Sequence, residues 1–175
     1  DGAAAKGQHG PLGQRLTQDV VERMSALNDR PVIFALSNPT SRAECTAEQA
    51  YAWSAGRAVF TSGSPFEKVT FRGRQLRPGQ GNNAYVFPGI GLGAVACEAR
   101  TLPDELFLAA ARTLAGLVGQ AELDEACLYP PLPEIRKISL AIAVSVAKKA
   151  YAMRLARKKR PGNLRKSIAK LMYEP

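Results

Sequence analysis

The sequence is poor in residues that commonly bind metals or form disulfides, with three cysteines and one histidine. Cys45, Cys97 and Cys127 stand far apart and form no CxxC pair. His9 is the only imidazole that could join them. Zinc sites and disulfide scaffolds need clustered ligands, so neither is predicted here. Because free cysteine behaves as a small apolar residue, we expect three buried, reduced thiols.

Long hydrophobic runs are also absent. No apolar run approaches the roughly 18 residues that a membrane-spanning helix needs, and the first residues lack the basic-then-apolar pattern of a signal peptide. We therefore expect an intracellular protein with no membrane partner, in the cytoplasm rather than in mitochondria. At 175 residues and 46% hydrophobic content, the chain is long and apolar enough to bury a core.

Acidic residues are missing from one C-terminal stretch, and this stretch accounts for the net charge of +9. Between Arg136 and Lys170 there are 12 Lys and Arg and no Asp or Glu, which leaves twelve basic and fifteen acidic residues elsewhere. Such a segment could bind the phosphates of a nucleic acid, but no RNA-binding aromatic pattern accompanies it. We interpret it as a solvated face or a contact with an acidic neighbour, and nucleic-acid binding is the alternative.

Strand and helix patterns alternate in the first half of the chain. Residues 16–27 repeat apolar side chains at three- and four-residue intervals, which predicts a helix. The short apolar run 31–36 predicts a strand buried on both faces. Thr46 and Gln49 have the spacing of a capping box and should begin a helix that ends at Gly56. Residues 57–61 repeat the strand pattern.

Strand, helix, strand with short connections is the pattern of a parallel sheet covered by helices, so the fold class predicted is α/β. Both strands are followed by loops of Ser, Gly, Asn, Pro and Thr, at 37–40 and 62–65. Ligands of parallel sheets bind beyond the carboxyl ends of the strands, so these loops are the predicted site. The glycine-rich segment 78–83 could also approach a ligand closely.

Helical patterns dominate beyond Pro103. The strongest periodicity covers 135–153, and we expect this helix to continue through the basic residues 154–160 until Pro161 breaks it. A last short helix is expected at 164–172. Before these, residues 69–77 alternate loosely around a glycine and predict a small hairpin or an extended excursion.

Gly89, Gly91 and Ala94 formally satisfy the G-x-G-x-x-A pattern of dinucleotide-binding loops. A true site needs a following strand that ends in an acid about 20 residues later, where this sequence has a second helical pattern and Ala109. We therefore interpret these small residues as a helix that packs closely on its neighbour.

Asn38, Asn82 and Asn83 are the candidate binding residues. A side-chain amide offers two donors and two acceptor lone pairs, which suits a ligand with a hydroxyl and carboxylates, or a carboxamide such as that of nicotinamide. Asparagine in a turn often only satisfies nearby backbone groups, and a role as turn former is the alternative for these three residues.

Four stretches resemble the malic enzyme family. They are RPVIFALSNPTSRAECTAEQ from Arg30, FTSGSPF from Phe60, RPGQGNNAYVFPG from Arg77 and LYPPL from Leu128, in the order and at the spacing of the family. The resemblance implies the C-terminal part of a doubly wound, Rossmann-like nucleotide-binding domain followed by a helical C-terminal region. We expect an irregular start at 1–15, a partial NAD(P)-binding domain at 16–130 and the helical region at 131–175.

The resemblance also implies an activity, the oxidative decarboxylation of malate to pyruvate and CO₂ with NAD or NADP and Mn²⁺ or Mg²⁺. Asn38, Asn82 and Asn83 would line the malate pocket, and Asn38 and Asn82 the cofactor. The family's catalytic tyrosine and lysine, acidic metal ligands and dinucleotide glycines come from earlier sequence, so no catalytic or metal residue is assigned here. We expect a homo-oligomer that needs the N-terminal part of the subunit. The alternative is a non-catalytic nucleic-acid-binding or subunit-association module.

Overall fold

The computed structural model describes residues 16–37 and 40–173. Its strands are β1 (Val32–Ala35), β2 (Val59–Ser62), β3 (Val69–Phe71), β4 (Arg74–Leu76) and β5 (Gly79–Gln80). Its helices are α1 (Gln18–Leu27), α2 (Ala47–Trp53), α3 (Phe87–Cys97), α4 (Asp104–Ala115), α5 (Gln120–Asp124), α6 (Ile135–Ala152) and α7 (Leu164–Ala169). In this part of the chain no helix is both long and apolar enough to cross a bilayer.

The contacts divide the chain into two compact units. The first contains the described residues up to Gly81 together with Asp124–Cys127, and the second contains Asn82–Leu123 and the described residues from Leu128 onward. The division predicted at 130/131 concerns the domains of a longer protein and stays a prediction.

The first unit is built on a parallel sheet with the strand order β1, β2, β5. Val32 pairs with Val59 at one end of β1 and Ala35 with Ser62 at the other, and Thr61 then pairs with Gly79 of β5. The α/β prediction is confirmed. The third strand, β5, was not predicted, because Gly79 and Gln80 have no apolar side-chain pattern.

The prediction that β1 is buried on both faces is wrong. Ile33 and Ala35 are buried, while Val32 is 47% and Phe34 42% exposed. Among the described residues, β1 is an edge strand of the three-stranded sheet. Burial of its second face would need a covering element, which an apolar run by itself does not supply. β2, in the middle of the sheet, is buried at every position.

Helix α2 begins with the predicted capping box. The Thr46 hydroxyl accepts from the Gln49 amide at 3.2 Å, and the Gln49 side chain accepts from the Thr46 amide at 2.9 Å. The Gly56 amide donates to the Tyr51 carbonyl at 2.7 Å, with Gly56 at φ 75°, and this bond closes the C-terminal end of the helix. Tyr51 then packs edge-on against Phe60 of β2, so α2 covers one face of the sheet.

Of the two structures predicted for 69–77, a small hairpin or an extended excursion, the hairpin forms, between β3 and β4, with Arg72 and Gly73 both at positive φ in the turn. Glu125 ties it to the segment 124–127. The Glu125 carboxylate pairs with Lys68 at 2.6 Å and with Arg77 at 2.8 Å, and the Arg77 amide donates to the Glu125 carbonyl at 2.8 Å. This explains why residues so distant in sequence belong to the first unit.

The second unit is a helical assembly centred on α6, which confirms the helical C-terminal region. Ile138, Ile142, Val146 and Ala150 are buried on its inner face, as the periodicity predicted. Helix α3 crosses α6 at its glycines, and Gly89 and Gly93 leave no room for a side chain. A Cβ at Gly93 would lie 2.6 Å from the Ala143 carbonyl oxygen. The close-packing interpretation is therefore confirmed for Gly89 and extends to Gly93, but it is wrong for Gly91, where a Cβ would meet nothing within 4 Å.

Helix α6 ends at Ala152, so the prediction that it continues through 154–160 is wrong. Arg154 adopts φ 58°, and the Leu155 amide donates back to the Ala150 carbonyl at 2.9 Å. A continued helix would align basic side chains three and four residues apart, which is unfavourable. The segment instead pairs with the end of α3, where the Arg100 amide donates to the Leu155 carbonyl at 3.0 Å. All twelve basic residues from 136 to 170 are exposed.

Candidate functional site

The parallel strands β1, β2 and β5 end at one edge of the sheet. The sequence predicted the binding site in the loops that follow such strands. The Gly63 amide donates to the Ala35 carbonyl at 3.1 Å, and the Gly81 amide donates to the Ser62 carbonyl at 2.8 Å. These two bonds extend the pairing of the strands one residue beyond β2 and β5. The points at which the chain leaves the three strands are therefore fixed side by side.

Gly63 is needed at this edge because the backbone after β1 lies against it. A Cβ at Gly63 would be 2.4 Å from the Leu36 carbonyl oxygen and 2.9 Å from the carbonyl carbon. Real Cβ atoms do not approach a backbone oxygen so closely, so any larger residue would push the two strand ends apart. The sequence identified this loop, but the reason for its glycine comes from the structure.

Ser37, the first residue after Leu36, is held by a carboxylate. The Ser37 hydroxyl donates to Glu44 Oε1 at 2.7 Å, and the Ser37 amide donates to Glu44 Oε2 at 3.3 Å. Both residues are half-buried. Both carboxylate oxygens of Glu44 thus accept from Ser37 at the exit of β1.

The structure describes two of the three predicted binding residues, Asn82 and Asn83. Asn82 and Asn83 are exposed, in a short 3-10 turn that follows β5 in the sequence. The Asn82 side-chain oxygen accepts from the Ala84 amide at 2.8 Å, so Asn82 also acts as a turn former. Within the described residues the Asn83 side chain makes no hydrogen bond, which leaves its amide open to a ligand.

Asn38 lies outside the described residues. In sequence it directly follows Ser37, and Asn82 directly follows Gly81. The predicted meeting of Asn38 with Asn82 and Asn83 stays a prediction.

The Cys45 thiol is unsuited to nucleophilic chemistry. Cys45, Cys97 and Cys127 are free and buried, which confirms the prediction made for them. Burial, followed by the nearby Glu44 carboxylate, raises the pKa of Cys45 to about 11. Since the thiolate is the nucleophile, Cys45 stays protonated and unreactive near neutral pH.

The described residues contain no group of three or more His, Cys, Asp or Glu side chains arranged to hold a metal ion. The residues predicted to bind a ligand here are neutral amides, which can orient a polar ligand. The Glu44 carboxylate at this edge accepts from Ser37.

Sequence reasoning missed two residues of this edge, Gly63 and Glu44. The sequence marks Gly63 only as a turn residue, because its contact with Leu36 joins two strands that are distant in sequence. Glu44 follows a segment of turn-forming residues, and its bond to Ser37 spans seven residues without any helical or strand period.

The sequence matches a known protein family over most of its length. A profile of the family described as malic enzyme, NAD binding domain, matches residues 7–151. Relatives named NADP-dependent malic enzyme include that of Phaseolus vulgaris, 52% identical over 93% of this chain and 28% of that protein. The chloroplastic enzyme of Oryza sativa subsp. japonica is 51% identical, over 94% of this chain and 26% of that protein.

The solved structures agree with the sequence relatives. The crystal structure of malic enzyme from Pyrococcus horikoshii matches with a TM-score of 0.67 and 26% identity, over 89% of this chain and 31% of that one. The present chain therefore spans about a quarter to a third of the length of the proteins it matches.

Proposed function

The chain belongs to the malic enzyme family, through its NAD-binding domain, and from this premise we propose that it forms part of the malate and cofactor pocket of such an enzyme. The reaction is the oxidative decarboxylation of malate to pyruvate and CO₂ with reduction of a nicotinamide cofactor. The length it shares with its relatives supports a contribution to the pocket rather than the whole of it.

One observation supports this function most directly: the exits of β1, β2 and β5 lie side by side, fixed by the bonds from Gly63 to Ala35 and from Gly81 to Ser62. In the sequence, Asn38 comes three positions after Ala35, the last residue of β1, and Asn82 comes two positions after Gln80, the last residue of β5. Parallel sheets bind ligands beyond this edge. We propose Asn38, Asn82 and Asn83 as malate-binding residues, and Asn38 and Asn82 as cofactor-binding residues.

The chemistry of these residues is binding and orientation. An amide nitrogen can donate to a malate carboxylate, and an amide oxygen can accept from the malate hydroxyl or from the carboxamide of nicotinamide. Neutral groups of this kind hold the C2 carbon of malate towards the nicotinamide ring without changing the charge of the pocket. Orientation alone can contribute substantially to a rate.

The cofactor we propose is NADP rather than NAD, because the similar relatives are named NADP-dependent. A bound Mn²⁺ or Mg²⁺ would supply a Lewis acid for the decarboxylation. The described residues provide no ligand cluster for it, so we assign no metal ligand to this chain.

The proposal includes an oligomeric assembly and an intracellular location. We propose a homo-oligomer of subunits in which this region associates with the N-terminal part of the subunit. An intracellular location is supported by three free, buried thiols, since disulfides are the rule in oxidising compartments. The cytoplasmic location stays a prediction, and some relatives are named chloroplastic.

The experiment that tests this function is a chimera in which the present sequence replaces the matching segment of the Phaseolus vulgaris enzyme. We expect malate-dependent NADPH production that requires both malate and a divalent cation. A folded chimera that binds NADP⁺ but never reduces it would contradict the proposal.

A second arm uses the 175-residue chain alone. We expect no malate-dependent NADPH production from the purified chain, because the residues assigned here bind and orient but do not transfer protons. Turnover by the isolated chain would show that this division of labour is wrong.

A further inference from the structure

The two hydrogen-bond donors of Ser37 match the two carboxylate oxygens of Glu44. Ser37 has two donors, its hydroxyl and its backbone amide, and they reach the two oxygens of one carboxylate at 2.7 and 3.3 Å. Hydrogen bonds to a charged acceptor are stronger than neutral ones, and two of them fix direction as well as distance. The pair therefore sets how the chain leaves β1.

Glu44 itself is well anchored. The next residue, Cys45, is 1% exposed, and Thr46 begins α2 with both bonds of its capping box. The carboxylate is thus attached to the rigid start of a helix. Through it, the exit of β1 is joined to the start of α2 across seven residues of chain.

We infer that Glu44 is a positioning residue for malate binding, acting through Ser37 on the β1 exit. The inference rests on the proposed function, because it takes the loop after β1 to belong to the malate pocket. Glu44 does not touch the substrate in this account. It holds Ser37, which directly precedes Asn38 in the sequence.

A carboxylate is needed here rather than an amide. In Glu44→Gln the side-chain oxygen can still accept from one Ser37 donor, but the NH₂ group would face the other donor with no lone pair to offer. The variant keeps the size and shape of the side chain. It therefore removes one acceptor oxygen with little change in packing.

The test uses the chimera described above and compares Glu44→Gln with Glu48→Gln. Glu48 is exposed in the first turn of α2, so its variant makes the same charge change away from Ser37. For Glu44→Gln we expect the KM for malate to rise by about tenfold, the typical effect of losing a bond to a charged group. We expect kcat and the KM for NADP⁺ to stay within about twofold, as for lost ground-state binding.

A double-mutant cycle with Ser37→Ala separates positioning from general destabilisation. Since both substitutions act on one pair of residues, the effects on the KM for malate should be less than additive in Ser37→Ala/Glu44→Gln. Additive effects, an unchanged KM in Glu44→Gln, or an equal rise in Glu48→Gln would overturn the inference. Failure of the proposed function is distinguishable, because the chimera without further substitutions would then not oxidise malate at all.

Discussion

Gly63 lies against Leu36 so closely that a Cβ on Gly63 would be 2.4 Å from the Leu36 carbonyl oxygen. The contact joins the ends of β1 and β2, and the atoms involved belong to the backbone, which has no rotamer to change. Because the proposed pocket opens at these strand ends, the closeness of the two residues links the stability of the sheet to the shape of the site.

Gly63→Ala should therefore destabilise the chain. The added methyl group must displace backbone, and overpacking of this kind typically costs about 1–3 kcal/mol. Urea unfolding of the 175-residue chain measures the effect. Gly162→Ala is the control, because a Cβ there would meet nothing within 4 Å. Equal unfolding midpoints for the two variants would contradict the account.

Asn82 and Asn83 should respond differently to removal of the amide. Asn82→Ala loses the bond to the Ala84 amide, and a lost cap of this type costs about 0.5–2 kcal/mol. Asn82→Asp keeps an acceptor at that place and should keep the stability.

Asn83→Ala should leave stability within about 0.5 kcal/mol, as expected for an exposed side chain. In the chimera it should raise the KM for malate by about tenfold through loss of a bond to a carboxylate. Thermal unfolding and steady-state kinetics measure the two effects. Malate kinetics unchanged in Asn83→Ala would remove this residue from the proposed pocket.

The glycines of α3 offer a matched comparison within one helix. Gly93 faces the Ala143 carbonyl, whereas a Cβ at Gly91 would meet nothing within 4 Å. Gly93→Ala should destabilise by about 1–3 kcal/mol through overpacking. Gly91→Ala should stabilise by up to about 1 kcal/mol, since alanine is the better helix former. If both substitutions had the same sign, close packing would not explain these glycines.

The buried thiol of Cys45 predicts a loss of stability in alkali. Its pKa is raised from an ordinary 9.0 to about 11, first by burial and second by Glu44. The folded state therefore holds this proton more tightly than the unfolded state. The resulting stability is fully present below pH 9 and is lost as pH rises through about 11.

The measurement is the free energy of unfolding between pH 8 and pH 11 for the parent chain and for Cys45→Ala, taking pH 9.0 and about 11 as the two pKa values that bound the change. We expect the free energy of unfolding to decline less steeply with pH in Cys45→Ala than in the parent chain, whatever the absolute stability of the variant. Parallel curves for the two proteins would show that Cys45 ionises as it does in the unfolded chain.

Local patterns predicted the elements that depend on local chemistry. The capping box of Thr46 and Gln49, the turn at Gly73 and the buried stripe of α6 each follow from residues a few positions apart. β5 was not predictable in this way, because Gly79 and Gln80 form a strand only through pairing with β2. The left-handed turn at Arg154 was equally hidden, since a non-glycine residue gives no sign of positive φ.

The candidate site was predictable as a place and only in part as a set of residues. Strand order follows from the alternation of patterns, so the loops after β1 and β2 could be selected. The bond between Glu44 and Ser37 depends on how a loop folds back on itself, which no periodicity encodes. The exposure of Val32 and Phe34 likewise depends on what covers the sheet rather than on β1 itself.

The most direct test of the central claim is a crystal structure of the chimera with NADP⁺ and a non-reactive malate analogue. We expect the analogue at the carboxyl edge of β1, β2 and β5, with amides of Asn38 and Asn83 within about 3.2 Å of its oxygens. An analogue bound away from this edge, with Asn38 distant from Asn82 and Asn83, would contradict it.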